Sequence, residues 1–174
     1  MNLYLPEITN EEILNTHENY WRKFCLDPRV WEGGTAFKQN LSFEWHEIEF
    51  KKENKIRVPD KQGIYMFVAK PEKEHLVHMY HSYIMYIGQA NNLKKRFDSY
   101  FHYKNNTEPH NQLKRIMTVI WEKYLSFCYF VTNNLEEKKL DMLEYDLIDT
   151  IIPPINNQFR AKIINQRVKI YAPR

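Results

Sequence analysis

The sequence predicts an α+β fold, and three observations carry that expectation. Three apolar runs rich in aromatic and β-branched residues, GIYMFVA at 63–69, SYIMYIG at 82–88 and LSFCYFV at 125–131, have the length of strands. Two helical stretches, about 92–103 and 110–124, separate the second run from the third, and another at 135–150 follows. Asparagines stand before the first and the last of these, where their side chains can cap a helix.

Taken in chain order, residues 9–24, TNEEILNTHENYWRKF, read as a helix. Thr9 or Asn10 can cap it, and Glu11 and Glu12 fall in its first turn, where the helix dipole favours acids. DPRVWEGG reads as a loop. LSFEWHEIEF at 41–50 alternates but slips phase between Trp45 and Ile48, which predicts a bulged strand or two short strands. The polar segment KKENKIRVPDKQ, with Pro59, marks a boundary between an N-terminal extension, 1–60, and a core, 61–160. Within the core, KPEKEHLVHMYH is a polar insertion that lengthens a hairpin between the first two strands. Its His75, His78 and His81 recur every three residues but lack an accompanying cysteine or carboxylate pattern, so a solvated hairpin is preferred over a zinc site. Asn91 or Asn92 caps the helix that follows. Leu113, Ile116, Met117 and Ile120 share one face of the next. Asn133 or Asn134 caps the last, which stops before Pro153 and Pro154.

A chain of 174 residues holds one domain, or a core with decorations. Four glycines leave no glycine-rich phosphate loop, and two cysteines, Cys25 and Cys128, make no disulfide framework. Cys128 falls in a buried strand, where packing accounts for it. The N-terminus MNLYLPEITNEE lacks the basic and apolar regions of a signal peptide, and no run has the length of a membrane span. The expected location is the cytoplasm, with no membrane partner. Net charge is +3 but uneven: residues 1–60 carry 8 basic and 11 acidic side chains, whereas 151–174 carry 5 basic and none acidic. A basic tail, 161–174 with its approach, suits either an anionic partner or plain solvation.

Gly63-Ile64-Tyr65 and Tyr86-Ile87-Gly88 stand in the order of the two signatures of the GIY-YIG nucleases, and residues 61–160 resemble that family. Arg96 follows Tyr86 by ten residues, Glu144 lies on a later helix, and Asn156 follows Pro153-Pro154, each where the family keeps the corresponding residue. YIGQANNLKKRFDSYF, including Tyr100, is similar to the N-terminal incision domain of bacterial excision-repair nucleases. PHNQLKR places His110 as phage homing endonucleases place a histidine. The resemblance implies a small three-stranded antiparallel sheet flanked by helices, with the N-terminal helix/strand extension added. It implies a metal-dependent endonuclease acting on DNA, with Tyr65, Tyr86, Arg96, Tyr100, His110, Glu144 and Asn156 as catalytic candidates. Glu144 is the metal-binding candidate, for magnesium or alternatively manganese.

Those residue types suit phosphodiester hydrolysis on physical grounds. Magnesium takes oxygen ligands and keeps waters, so one carboxylate plus substrate phosphate can hold it. An arginine fork matches two phosphate oxygens. A tyrosine whose pKa is lowered by a nearby cation or metal can take a proton from water. Lys94, Lys95, Arg160, Lys162, Arg167 and Lys169 are candidate DNA contacts. Two departures stand out: the gap between Tyr65 and Tyr86 is about twice the family's usual one, and Gln89 stands where the repair nucleases carry a lysine. Single- or double-stranded DNA, RNA, and a homodimer all stay open, as does a non-catalytic nucleic-acid-binding module on the same fold. A chance match in an interaction protein would turn Glu144 away from Tyr86.

Overall fold

The structure, a computed structural model, describes residues 43–70, 83–105, 108, 111–162 and 164. The expected helix at 9–24, Cys25, the three insertion histidines, His110, Arg167 and Lys169 lie outside the described residues. Four antiparallel strands, β1 (His46–Glu49), β2 (Gly63–Ala69), β3 (Tyr83–Ala90) and β4 (Leu125–Val131), form one sheet in the order β1-β4-β2-β3. Three α-helices, α1 (Leu93–Ser99), α2 (Gln112–Ile120) and α3 (Glu137–Ile151), flank it.

All seven residues of β2 are buried. The strand lies between β4 and β3 with both faces covered, which is why its sequence is continuously apolar rather than alternating. Period two still sorts its side chains. Tyr65, Phe67 and Ala69 enter one core with Leu93, Phe97, Tyr100 and Phe127. Ile64, Met66 and Val68 enter another with Leu140, Leu143, Leu147 and Ile148 of α3.

The sheet has one strand more than expected. β1 pairs with β4 over His46–Glu49 in unbroken register, without the expected bulge. Only Ile48 of its four residues is buried, and Trp45 precedes the strand, where its ring stands edge-on to Phe130. The phase slip in the sequence therefore marks the start of the strand.

Helix 92–103 divides in two: α1 gives way to a 3-10 helix at Tyr100–Asn105. Three residues per turn align positions i and i+3, and Tyr100 and Tyr103 accordingly meet edge to face with ring centroids 5.1 Å apart. Asn92 caps α1 as expected, its Oδ1 accepting the Lys95 N–H at 2.8 Å. Asn133 and Asn134 are not caps. Both are left-handed, with φ of 42° and 62°, and form the turn out of β4, while Glu136 holds the N-cap position of α3. The helix stretch 110–124 also ends early, with Glu122–Tyr124 as a 3-10 turn.

β3 ends the sheet, and its outer edge is closed from beyond α3. The Ile155 N–H donates to the Met85 carbonyl at 3.0 Å. Asn156 meets both main-chain groups of Ile87: Oδ1 accepts its N–H at 2.9 Å, and Nδ2 donates to its carbonyl at 2.8 Å. Closing an edge in this way removes a template for strand addition. It also fixes the strand that carries Tyr86.

Candidate active site

The two signature glycines are needed for space, since neither has a positive φ. Tyr65 and Gly88 are cross-strand partners, and a Cβ on Gly88 would meet the Tyr65 hydroxyl and lie 2.6 Å from its Cζ. The Tyr65 side chain thus lies across Gly88. A Cβ on Gly63 would run into the main-chain carbonyl of Phe130 and come within 2.8 Å of Leu93.

Tyr86 pairs with Phe67, so it shares a face with Tyr65, which sits two residues along β2. Tyr100 joins them from the first residue after α1. The three ring centroids are 6.1 Å (Tyr65–Tyr86), 6.0 Å (Tyr65–Tyr100) and 6.2 Å (Tyr86–Tyr100) apart. The Tyr65 and Tyr100 hydroxyls are hydrogen-bonded at 3.0 Å. Tyr65 and Tyr100 are fully buried, whereas Tyr86 is partly exposed.

The phenols do not titrate in the expected direction. Burial, the largest cause, pushes Tyr65 and Tyr100 well above the ordinary tyrosine range and raises Tyr86 as well. The Arg96 guanidinium pulls Tyr65 and Tyr86 the other way without overcoming it. Arg96 is itself half-buried on α1. Burial acts to weaken its charge, and the phenols around it more than offset that.

Glu144 faces the same place from α3. Its Oε1 accepts the Gln89 main-chain N–H at 3.1 Å, at the end of β3 beyond Tyr86 and Gly88. The helix register therefore turns it toward Tyr86, and its charge acts on both signature tyrosines. Burial pushes its carboxyl up to about 7, and the Asp141 carboxylate one turn earlier adds to the shift. The Gln89 side-chain amide donates to Asp141. Among the described residues no group of three or more His, Cys, Asp and Glu side chains could cage a metal ion.

Asn156 is buried, and its amide clamps Ile87 as described above. Lys94 is half-buried and Lys95 exposed on α1. Arg160 and Lys162 are exposed beyond α3, where Asp149 accepts the main-chain N–H groups of Arg160 and Ala161 at 3.0 and 2.7 Å. They are not part of the tyrosine cluster. Cys128 is partly buried, and burial pushes its thiol up to about 12, which disfavours the thiolate.

Two neighbours of the cluster were not singled out from the sequence. The Lys114 Nζ of α2 lies over the rings of Tyr86 and Tyr103, 5.5 and 5.4 Å from their centroids. Tyr103 is reached only because the 3-10 helix aligns it with Tyr100. A signal for Lys114 existed: it stands three residues before Met117, which is fully buried, so its stem lies beside the packed face of α2.

A small antiparallel sheet that brings two strand tyrosines, a helix arginine and a single helix glutamate together defines the GIY-YIG class. The family model of the UvrC-like GIY-YIG domain matches residues 61–157, and this chain belongs to that family. It is 36% identical over 99 residues to the UvrABC system protein C of Aster yellows witches'-broom phytoplasma (strain AYWB), and 29% identical over 99 residues to that of Helicobacter pylori (strain P12). Each match covers 57% of this chain but only 13% and 15% of the relative, so the chain matches about one-seventh of the length of these curated relatives. Among solved structures it is similar to the GIY-YIG N-terminal endonuclease domain of UvrC from Thermotoga maritima bound to magnesium, its catalytic divalent cation. That match is 22% identical, covers 60% of this chain and 93% of the other, and has a TM-score of 0.37.

Proposed function

We propose that this chain is a metal-dependent endonuclease that hydrolyses DNA phosphodiester bonds. The observation that carries this is the convergence of Tyr65 and Tyr86, 6.1 Å apart on β2 and β3, with Arg96 of α1 and with Glu144 of α3, which accepts the Gln89 N–H at the end of β3. Arg96 binds the phosphate and stabilises the charge that grows on it. The phenolate of a signature tyrosine takes the proton of the attacking water at Oη, and Tyr86, the one nearer solvent, can first release its own proton to bulk water. Burial keeps that phenol protonated at rest, so its proton must leave first. Arg96 favours that loss. Tyr100 holds the Tyr65 hydroxyl in place, and Asn156 positions β3.

Glu144 fits a divalent ion. Its carboxyl is pushed up to about 7 by burial, and among the described residues no Lys or Arg lies within ion-pair distance of it. A cation would remove the penalty on its charged form. One carboxylate without a protein cage suits magnesium, or manganese, that keeps waters and meets substrate phosphate. The chemistry such an ion supplies is a more acidic water and charge neutralisation at the phosphate. Lys94, Lys95, Arg160 and Lys162 are proposed to contact DNA, with Arg167 and Lys169 from outside the described residues.

A second reading, a non-catalytic nucleic-acid-binding module, is favoured by the raised phenols and by the neutral Gln89. Incubation of the purified protein with supercoiled plasmid separates the two. Nicked or linear DNA in magnesium, and none in EDTA, is expected. Binding without any cleavage in magnesium or manganese would favour the module. The same assay on RNA decides the nucleic acid. Among the described residues no helix is long and apolar enough to cross a membrane, and a cytoplasmic location is part of the proposal.

A further inference from the structure

We propose that Lys114 is a second phosphate-binding cation of this site, acting beside Arg96 from the face of Tyr86. The inference rests on the nucleic-acid reading above but not on cleavage.

The position after the Tyr86-Ile87-Gly88 signature carries no charge. Gln89 gives its main-chain N–H to Glu144 and its side-chain amide to Asp141, so nothing positive reaches the cluster from β3. The ammonium of Lys114 arrives instead from α2. Its Nζ is held over two aromatic rings, one of them the active-site Tyr86 and the other Tyr103. Ring faces attract a cation and hold it without neutralising it. Among the described residues no carboxylate lies within ion-pair distance of Lys114.

The placement is electrostatically unfavourable without a ligand. Burial and the Arg96 charge both weaken the Lys114 ammonium, and Glu144 only partly offsets them. A lysine that served packing alone would extend its head into water, where hydration is strongest. Here two cations, Arg96 and Lys114, share a partly buried cluster, and each acts on the charge of the other. An anion placed between Arg96 and Lys114 relieves their repulsion, and a phosphodiester carries one negative charge per phosphate.

The experiment uses the full chain and a duplex oligonucleotide in calcium, which supports binding without turnover, with affinity measured across salt concentrations. Lys114→Met keeps the apolar stem and removes the charge. Its slope of log affinity against log salt is expected to be shallower by about 0.9, the value for one lost phosphate contact. Lys114→Arg should retain the wild-type slope. In magnesium the methionine variant should lose roughly 10²-fold in single-turnover rate at saturating protein, the scale for one missing charge-stabilising group. An unchanged slope in a Lys114→Met protein that melts like the wild type overturns the proposal. So does a Lys114→Arg slope as shallow as that of methionine, because it assigns the loss to packing. Should the methionine variant melt early, Lys114→Gln is read in the same way. Wild-type protein that binds but never cuts counts against the nuclease reading alone, and the slopes still decide Lys114.

Discussion

The ring of Tyr65 lies across Gly88, its cross-strand partner, in space that even one methyl group would fill. The glycine of the second signature thus exists for the tyrosine of the first. Gly88→Ala is expected to shift the Tyr65 hydroxyl away from Tyr100 while β3 stays paired. Misplacing a reacting group by about 1 Å costs on the order of 10²-fold in rate, and that loss is expected here. Gly63→Ala meets the main-chain carbonyl of Phe130, which cannot rotate away, so it should lower the melting temperature more than Gly88→Ala. Thermal melts beside nicking rates test the pair, and equal rates for Gly88→Ala and wild type would contradict it.

Tyr65→Phe and Tyr86→Phe remove the hydroxyls and keep the rings. Each should reduce nicking by about 10²–10⁴ if its phenol handles the proton. Because Tyr86 is partly exposed and Tyr65 is not, the larger loss is expected at Tyr86. Folding should survive, since the ring packing of both is retained. Near wild-type rates in both variants across pH 7 to 9 would remove the tyrosines from the chemistry.

Glu144 links the site to stability. Its carboxyl in the folded protein is pushed up to about 7, from an ordinary value of 4.5, mainly by burial. Between those values the folded state holds a proton that the unfolded state has released, so stability falls as pH rises through that window. The full gap corresponds to about 3 kcal/mol as an upper figure. In EDTA, the wild type should lose melting temperature between pH 5 and 8 relative to Glu144→Gln, and magnesium should narrow the difference. A difference that does not change with pH would contradict the assignment.

Asn156 closes the edge of β3 through both polar atoms of its amide. Asn156→Ala leaves the Ile87 N–H and carbonyl without that partner. Each buried group left unsatisfied costs about 1–3 kcal/mol, so a loss of roughly 2–6 kcal/mol is expected in denaturant unfolding. Asn156→Asp keeps an acceptor for the N–H but has no donor for the carbonyl, and should fall between. A neutral Asn156→Ala would show that β3 does not depend on this clamp.

Strands β2 and β4 were legible residue by residue, because β2 is buried throughout and β4 nearly so, and such strands read as largely apolar runs. Asn92 was legible as a cap for local reasons. β1 was seen as a strand but not as part of the sheet, since a short edge strand with only Ile48 facing inward carries little pattern. Tyr65, Tyr86, Arg96 and Glu144 were named from motif order, and the structure brings them together. The partnership of Asn156 with Ile87 was not legible: it spans 69 residues, and a capping asparagine reads the same. Lys114 was missed because a lysine beside an apolar helix face normally reads as solvated. Only the packing of α2 on the 3-10 helix turns it over Tyr86.

The central claim, that Glu144 holds the divalent ion required for cleavage, is tested most directly by Glu144→Gln. Single-turnover nicking in magnesium is measured beside a DNA-binding titration in calcium. The substitution keeps the size of the side chain and an acceptor for the Gln89 N–H but removes the charge that a hard cation needs. The account predicts no detectable nicking, with binding equal to or tighter than wild type because a negative charge near the phosphate is gone. Nicking at the wild-type rate by Glu144→Gln would contradict it.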